Sequence, residues 1–186
     1  VLRHLLHVDV RLAWICARRR AMPSNMTRRL RAYRDDDLDA LVETFNDAVH
    51  VLGRAFYDEA QCAAWAPEQV NLDEWRSRLA GITVLVAVKD GRLSGFIGYE
   101  PSGHVAYLYT ASRAARTGVA SELYAYVEQE WRAAGVERAF AEVSLAARPF
   151  FDRQGFAVER EERVERRGVL FTRFVMAKRL TSSRAP

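Results

Sequence analysis

Tyr107-Leu108-Tyr109-Thr110-Ala111-Ser112-Arg113-Ala114-Ala115-Arg116-Thr117-Gly118-Val119-Ala120-Ser121 runs from a strand pattern, through a loop of small and basic residues, into the start of a helix. From Gly118 onward the apolar residues Val119, Leu123, Val127 and Trp131 recur at helical spacing, and Gly135 marks the end. A strand that feeds a helix through such a loop builds an anion site. N–H groups of the loop and first helical turn point outward without intrahelical partners, and the helix dipole adds partial positive charge. Gly118 and Ala120 leave the backbone uncovered, so a pyrophosphate can approach closely, and Arg113 and Arg116 place charge at the rim. A glycine at a strand-to-helix junction also serves simply to make the turn, so this stretch alone admits both readings.

Upstream, Arg29 to Tyr33 alternates apolar and charged residues as a short strand does. Asp35 and Asp36 are placed to cap a helix carrying Leu38, Leu41, Val42, Phe45, Val49 and Leu52. Asp58 to Trp65, stopped by Pro67, and Leu72 to Ala80, stopped by Gly81, read as short helices. Thr83 to Lys89 and Arg92 to Glu100 meet across the hairpin turn Asp90-Gly91, and His104 to Thr110 follows the turn Pro101-Ser102-Gly103. Beyond the long helix come a strand, Arg138 to Val143, and a short helix around Arg148 to Gln154 that stops at Gly155. Two final strands, Phe156 to Val164 and Val169 to Lys178, flank Arg166-Arg167-Gly168. No internal repeat or low-complexity tract interrupts this order, which predicts an α/β fold with a mixed sheet and helices on both faces.

A second segment gives the first a meaning. Ser144-Leu145-Ala146-Ala147-Arg148-Pro149-Phe150-Phe151-Asp152-Arg153-Gln154-Gly155-Phe156 follows a strand. Together the two resemble the GNAT N-acetyltransferase superfamily. The first matches its (Q/R)-x-x-G-x-(G/A) pyrophosphate loop at Gly118 and Ala120. The second matches its N/S-x-x-A-x-x-(F/L)-(Y/F)-x-x-x-G-F signature at Ser144, Ala147, Phe150, Phe151, Gly155 and Phe156. The resemblance covers roughly Met26 to Leu180. Within the superfamily it is most like the bacterial YafP-like group, through Leu108-Tyr109-Thr110, Gly118-Val119-Ala120-Ser121 and Ala63-Ala64-Trp65-Ala66-Pro67.

The resemblance implies the mostly antiparallel sheet of the acyl-CoA N-acyltransferase fold and acetyl-CoA as co-substrate. It implies that the backbone of Leu108, Tyr109 and Thr110 pairs with the pantetheine arm. The N–H groups of Ala115, Arg116, Thr117, Gly118, Val119, Ala120 and Ser121 would hold the pyrophosphate. Ser144 would stand where two strands part to admit the thioester. Two positions depart from the family pattern. Ala115 replaces the usual Gln or Arg, and Phe151 replaces the tyrosine that often protonates the departing thiolate.

Direct transfer needs a neutral amine and a group to receive its proton. The strand before the pyrophosphate loop offers His104, which simple alternation puts on one face with Ala106 and Leu108. A half-exposed residue after the Gly103 turn is the plainer reading of the same histidine. Tyr109, on the opposite alternation, serves as proton donor to the thiolate if a bulge turns it; a packed core tyrosine is the alternative. Glu142 and Glu100 are further candidate bases, and each also reads as a solvated charge at a strand edge. His50, Tyr57, Trp65 and Trp75 lie in the helical segment expected to wall the acceptor.

The bulk properties agree with one soluble enzyme domain. The 186 residues carry a net charge of +4, with 49% hydrophobic and 28% charged residues, and no apolar run is long enough to span a bilayer. Cys16 and Cys62 give neither a disulfide framework nor metal-ligand spacing, so no metal is expected and a reducing, cytoplasmic compartment is the default. Residues 1–25 read as an extension outside the fold, ending in Pro23-Ser24-Asn25, with Met26 or Met22 as the native start; residues 181–186 read as a tail. Asp9, His7 and Arg11 break any secretory signal, and a transit peptide is the lesser alternative. Arg18 to Arg20 with Arg28, Arg29 and Arg31 form a basic cluster read as a solvated arm. Nothing resembles a nucleic-acid-binding motif. The expected partners are acetyl-CoA and an amine acceptor, and a homodimer is compatible with this reading. A non-catalytic acyl-CoA-binding module is the alternative that Phe151, Ala115 and Ala106 together suggest.

Overall fold

The protein is described from a computed structural model over residues 28–180. The expected extension at 1–25, Cys16 and the tail at 181–186 lie outside the described residues.

Seven strands form one sheet: β1 (Arg29–Ala32), β2 (Thr83–Lys89), β3 (Arg92–Tyr99), β4 (His104–Thr110), β5 (Arg138–Ser144), β6 (Ala157–Arg166) and β7 (Val169–Arg179). Their order is β1-β2-β3-β4-β5-β7-β6. All neighbours are antiparallel except β4 and β5. A parallel neighbour requires a crossover, and the helix α4 (Val119–Ala133) supplies it.

On the face of α4 and α5 (Arg148–Arg153), Leu123, Val127 and Trp131 pack on Ile97, Val105, Val143 and Met176. The opposite face carries α1 (Leu38–Asp47), α2 (Glu59–Trp65) and α3 (Leu72–Leu79), with Leu41, Phe45 and Trp75 against Val86, Phe96 and Phe171. Because β3 lies between both layers, it is apolar along nearly its whole length, as a strand buried on both sides must be. Asp58 and Asn71 accept first-turn N–H groups and start α2 and α3.

Asp35 and Asp36 do not cap α1, contrary to the sequence reading. They form a 3-10 turn with Asp37, whose carboxylate accepts the Arg34 N–H at 2.9 Å and pairs with Arg31 at 2.5 Å. The basic cluster is likewise drawn inward at Arg28 and Arg31. Arg28 bridges to Glu122 at 2.7 Å, and Arg31 is bound to Asp37. Arg166 belongs to β6 rather than to the following turn.

Two irregularities shape the middle of the sheet. β3 and β4 pair down to Gly98↔Tyr107 and resume at Tyr99↔Val105, which leaves Ala106 as an extra residue in β4. β4 and β5 pair only at His104↔Phe140 and Val105↔Ala141 before they part. At the base of this short ladder Phe140 N–H donates to the Gly103 carbonyl at 2.9 Å. Gly103 has φ +92°, and a Cβ there would stand 2.0 Å from the Arg138 carbonyl oxygen, so only glycine lets the strands close.

Candidate active site

The parting of β4 from β5 opens a slot. Val105 to Thr110 line one wall and Ala141 to Ser144 the other, with Phe150 and Phe151 beneath. Beyond Val105 no β5 residue pairs with β4, so the β4 backbone edge that faces β5 lacks a strand partner. Unpartnered strand edges accept an extended chain carrying amides.

The loop from Ala111 to Gly118 closes one end. Arg116 (φ +60°) and Gly118 (φ +87°) are both left-handed, and they curve the backbone on either side of Thr117. Turns of this kind gather N–H groups into an anion-binding concavity. The first bond of α4 runs from Glu122 N–H to the Gly118 carbonyl, which leaves Val119, Ala120 and Ser121 N–H without intrahelical acceptors. Ala115 and Thr117 differ from the sequence reading. Their N–H groups already donate to Ser112 and Ala114 carbonyls, so the free donors are fewer than the stretch suggests. Arg113 is not at the rim either, because its guanidinium donates to the Leu93 carbonyl at 2.5 Å. Arg28, read in the sequence as part of a solvated basic arm, instead bonds the Thr117 carbonyl and hydroxyl and neutralises Glu122 beside the anion site.

A second cavity opens on the face of α1 to α3, lined by Phe45, Trp75, Tyr107, His104, Glu142 and Arg166 among others. The two spaces share Trp65, Ala106, Tyr107, Tyr109 and Glu142. Here the sequence reading of β4 is corrected. The extra residue at Ala106 reverses the alternation, so His104 joins Tyr107 and Tyr109 on this cavity, while Leu108 packs in the opposite layer.

His104 is held by two carboxylates: Nδ1 lies 3.0 Å from Glu100 Oε1, and Nε2 lies 2.8 Å from Glu142 Oε2. Burial lowers its pKa, but the hydrogen bonds and charges of Glu100 and Glu142 outweigh that and raise it above the ordinary histidine value. The same contact holds the Glu100 carboxyl below its usual range. Tyr109 is packed between Phe45 and Phe96, and its oxygen accepts from Trp65 Nε1 at 3.2 Å. Burial pushes its pKa up to about 12, so the hydroxyl keeps its proton.

A slot between parted strands, next to a glycine loop that opens the crossover helix, is the arrangement on which the family assignment turns. The profile of the family described as "Acetyltransferase (GNAT) domain" matches residues 54–178. The chain belongs to the GNAT acetyltransferases. It is 32% identical over 147 residues to the uncharacterized N-acetyltransferase YafP of Escherichia coli, covering 79% of this chain and 93% of that protein. A GCN5-related N-acetyltransferase from Rhodopseudomonas palustris superimposes with a TM-score of 0.79 at 24% identity, over 86% of this chain and 100% of that one. YncA from Salmonella typhimurium, solved with its cofactor acetyl-CoA, gives a TM-score of 0.58 at 22% identity, over 88% and 98%. As a GNAT enzyme the protein is an N-acetyltransferase that draws its acyl group from acetyl-CoA.

Within this GNAT domain, Ser144 ends β5, and its hydroxyl accepts the Ala147 N–H at 3.2 Å, which turns the chain into α5. Phe151 is buried in the layer below the slot and has no proton to offer. Tyr57 lines the slot too. Its hydroxyl accepts the Leu145 N–H at 2.9 Å and so fixes the chain just beyond the end of β5, a role that no period in the sequence announces. His50 does not line the second cavity: its Nε2 meets the Ala66 carbonyl at 2.7 Å, and it lines a separate hollow with Asp39 and Asp47. Trp65 and Trp75 line the second cavity. Among the described residues, no group of three or more His, Cys, Asp or Glu side chains is placed to hold a metal, and no helix is long and apolar enough to cross a membrane.

Proposed function

We propose that this GNAT enzyme moves the acetyl group of acetyl-CoA directly to a primary amine of a small molecule or peptide. His104 and Glu142 receive the amine's proton, and Tyr109 returns one to the departing thiolate. The observation that carries this reading is the junction of the two spaces. Five residues line both, so a thioester lying in the slot meets an amine held in the aromatic cavity.

In this reading the N–H groups of Arg116, Gly118, Val119, Ala120 and Ser121 face the pyrophosphate, and the pantetheine amides pair with the open edge of Leu108 to Thr110. Ser144 and Phe151 bound the slot near the thioester. The amine lone pair attacks the thioester carbonyl, and a C–N bond forms while the carbonyl becomes an oxyanion. Glu142, which faces both spaces, takes the proton of the nascent ammonium and shares it with His104 Nε2, 2.8 Å away. As the carbonyl reforms, the C–S bond breaks and CoA leaves as a thiolate. Tyr109 is protonated and borders both the slot and the aromatic cavity, which supports its O–H in that role. Tyr109 then recovers a proton from solvent.

The test is CoA-thiol release over a panel of amines, with acetyl-CoA affinity measured separately. His104→Ala should lower turnover by about 10²–10⁴-fold with acetyl-CoA affinity unchanged. A variant as active as the parent would remove His104 from the chemistry, and silence of the parent across the whole panel would overturn direct transfer to amines.

A further inference from the structure

The second cavity is lined by groups of both signs, Glu142 and His104 on the one hand and Arg78, Arg166, Arg167 and Arg173 on the other, together with Phe45, Trp75 and Tyr107. Most of these cations are already engaged. Arg78 is paired with Glu74, and Arg173 is held by Glu162 at 2.7 Å. Arg167 donates to the Ala64 carbonyl at 2.8 Å.

Arg166 differs. Among the described residues no carboxylate is paired with it, and its guanidinium lies over the Trp65 ring, 4.9 Å from the centroid. Burial, together with the like charges of Arg78 and Arg167, lowers its pKa, as befits a cation without a counter-ion. The same Trp65 donates its indole N–H to Tyr109 at the junction, so one indole links the unpaired guanidinium to the point of transfer.

We infer that the acceptor is a small amine bearing a carboxylate, an amino acid or a close analogue. Its ammonium end would face Glu142 and its carboxylate would lie in the fork of Arg166. A guanidinium offers parallel donors that match the two oxygens of a carboxylate. The aromatic faces of Phe45, Trp75 and Tyr107 would take the acceptor's apolar body. Simple cationic diamines and uncharged amines fill the cavity without answering Arg166.

This inference rests on the proposed transfer, and the experiment separates the two. Three acceptors of similar length are compared: an amino acid, the alkylamine lacking its carboxylate, and a diamine. kcat/KM is measured at saturating acetyl-CoA. Binding is read independently, as tryptophan quenching with CoA in place of acetyl-CoA. The amino acid should exceed the alkylamine by about 10–100-fold in both readouts, as expected for a hydrogen-bonded charge pair. Arg166→Gln should collapse that ratio toward one, and Arg166→Lys should restore part of it. Turnover without any preference for the carboxylate would overturn the anionic acceptor and leave the transferase standing. Carboxylate-selective binding with no turnover of any amine would do the reverse. Absence of both overturns both.

Discussion

His104 is gripped from both sides by carboxylates, so its proton is harder to remove than that of a free imidazole. If His104 takes the proton as proposed, it needs the neutral ring, so turnover should rise with pH through a transition above the ordinary histidine value. Glu100 borders neither cavity and acts only through the ring. Glu100→Gln removes one of the two charges favouring the imidazolium, which lowers its pKa and moves the transition to lower pH. The measurement is kcat against pH for parent and variant with one acceptor, and an unmoved midpoint would show that another group sets the rise. The histidine itself was legible as a candidate, because its strand, the turn before it and the loop after it could all be placed. Its face was not. Period-two alternation assumes a regular ladder, and the extra residue at Ala106 exists only relative to β3, a pairing the local sequence does not record. Arg166 escaped for a similar reason. Its meaning comes from Trp65, about a hundred residues away in sequence, and a basic turn offers no hint of it.

At the scale of elements, the glycine loop makes its own demand. Gly118 sits at φ +87°, where an L side chain costs about 1–2 kcal/mol. Gly118→Ala and Gly118→Glu should therefore lose a similar few degrees of melting temperature. Their acetyl-CoA affinities should differ, because only glutamate adds negative charge, beside Glu122 and before the anion site. Calorimetry that found both variants binding as the parent does would reduce the loop to a turn. Most strands and helices were readable to within a residue or two, since Gly, Pro and Asp punctuate nearly every boundary. The failures share one cause. Asp35, Asp36 and Arg113 were assigned by residue type at a suitable position, whereas hydrogen bonds there depend on neighbours distant in sequence. Asp35 meets Arg76 at 3.3 Å, and Arg113 reaches a carbonyl of β3.

Across the whole molecule the sheet separates two apolar layers with different duties. Leu123 is fully buried under α4, whereas Phe45 is buried under α1 and packs its ring 4.8 Å from Tyr109 and 4.9 Å from Trp75. Leu123→Ala should cost about 2–5 kcal/mol of stability, and Phe45→Ala about 3–5. Only the Phe45 variant should also raise the acceptor KM, because only that layer lines the cavity proposed for the acceptor. Denaturant melts and steady-state kinetics on both variants check this, and equal KM values would place the acceptor elsewhere. The architecture was legible as an order of elements, since alternation between strand and helix periods survives irregular pairing. The meeting of two cavities at Tyr109 and Glu142 was not, because it depends on where β4 and β5 stop touching. That stopping point has a mechanical side. β1 to β4 and β5 to β7 are each laced edge to edge, yet the two stiff leaves share only a two-rung spine at His104 and Val105, knotted at Gly103. Away from those two rungs the halves are joined through the core under α4, so the width of the gap is set by side-chain packing instead of by a ladder. The residue proposed to take the proton, His104, is thus also one of the two rungs that tie the halves of the sheet together.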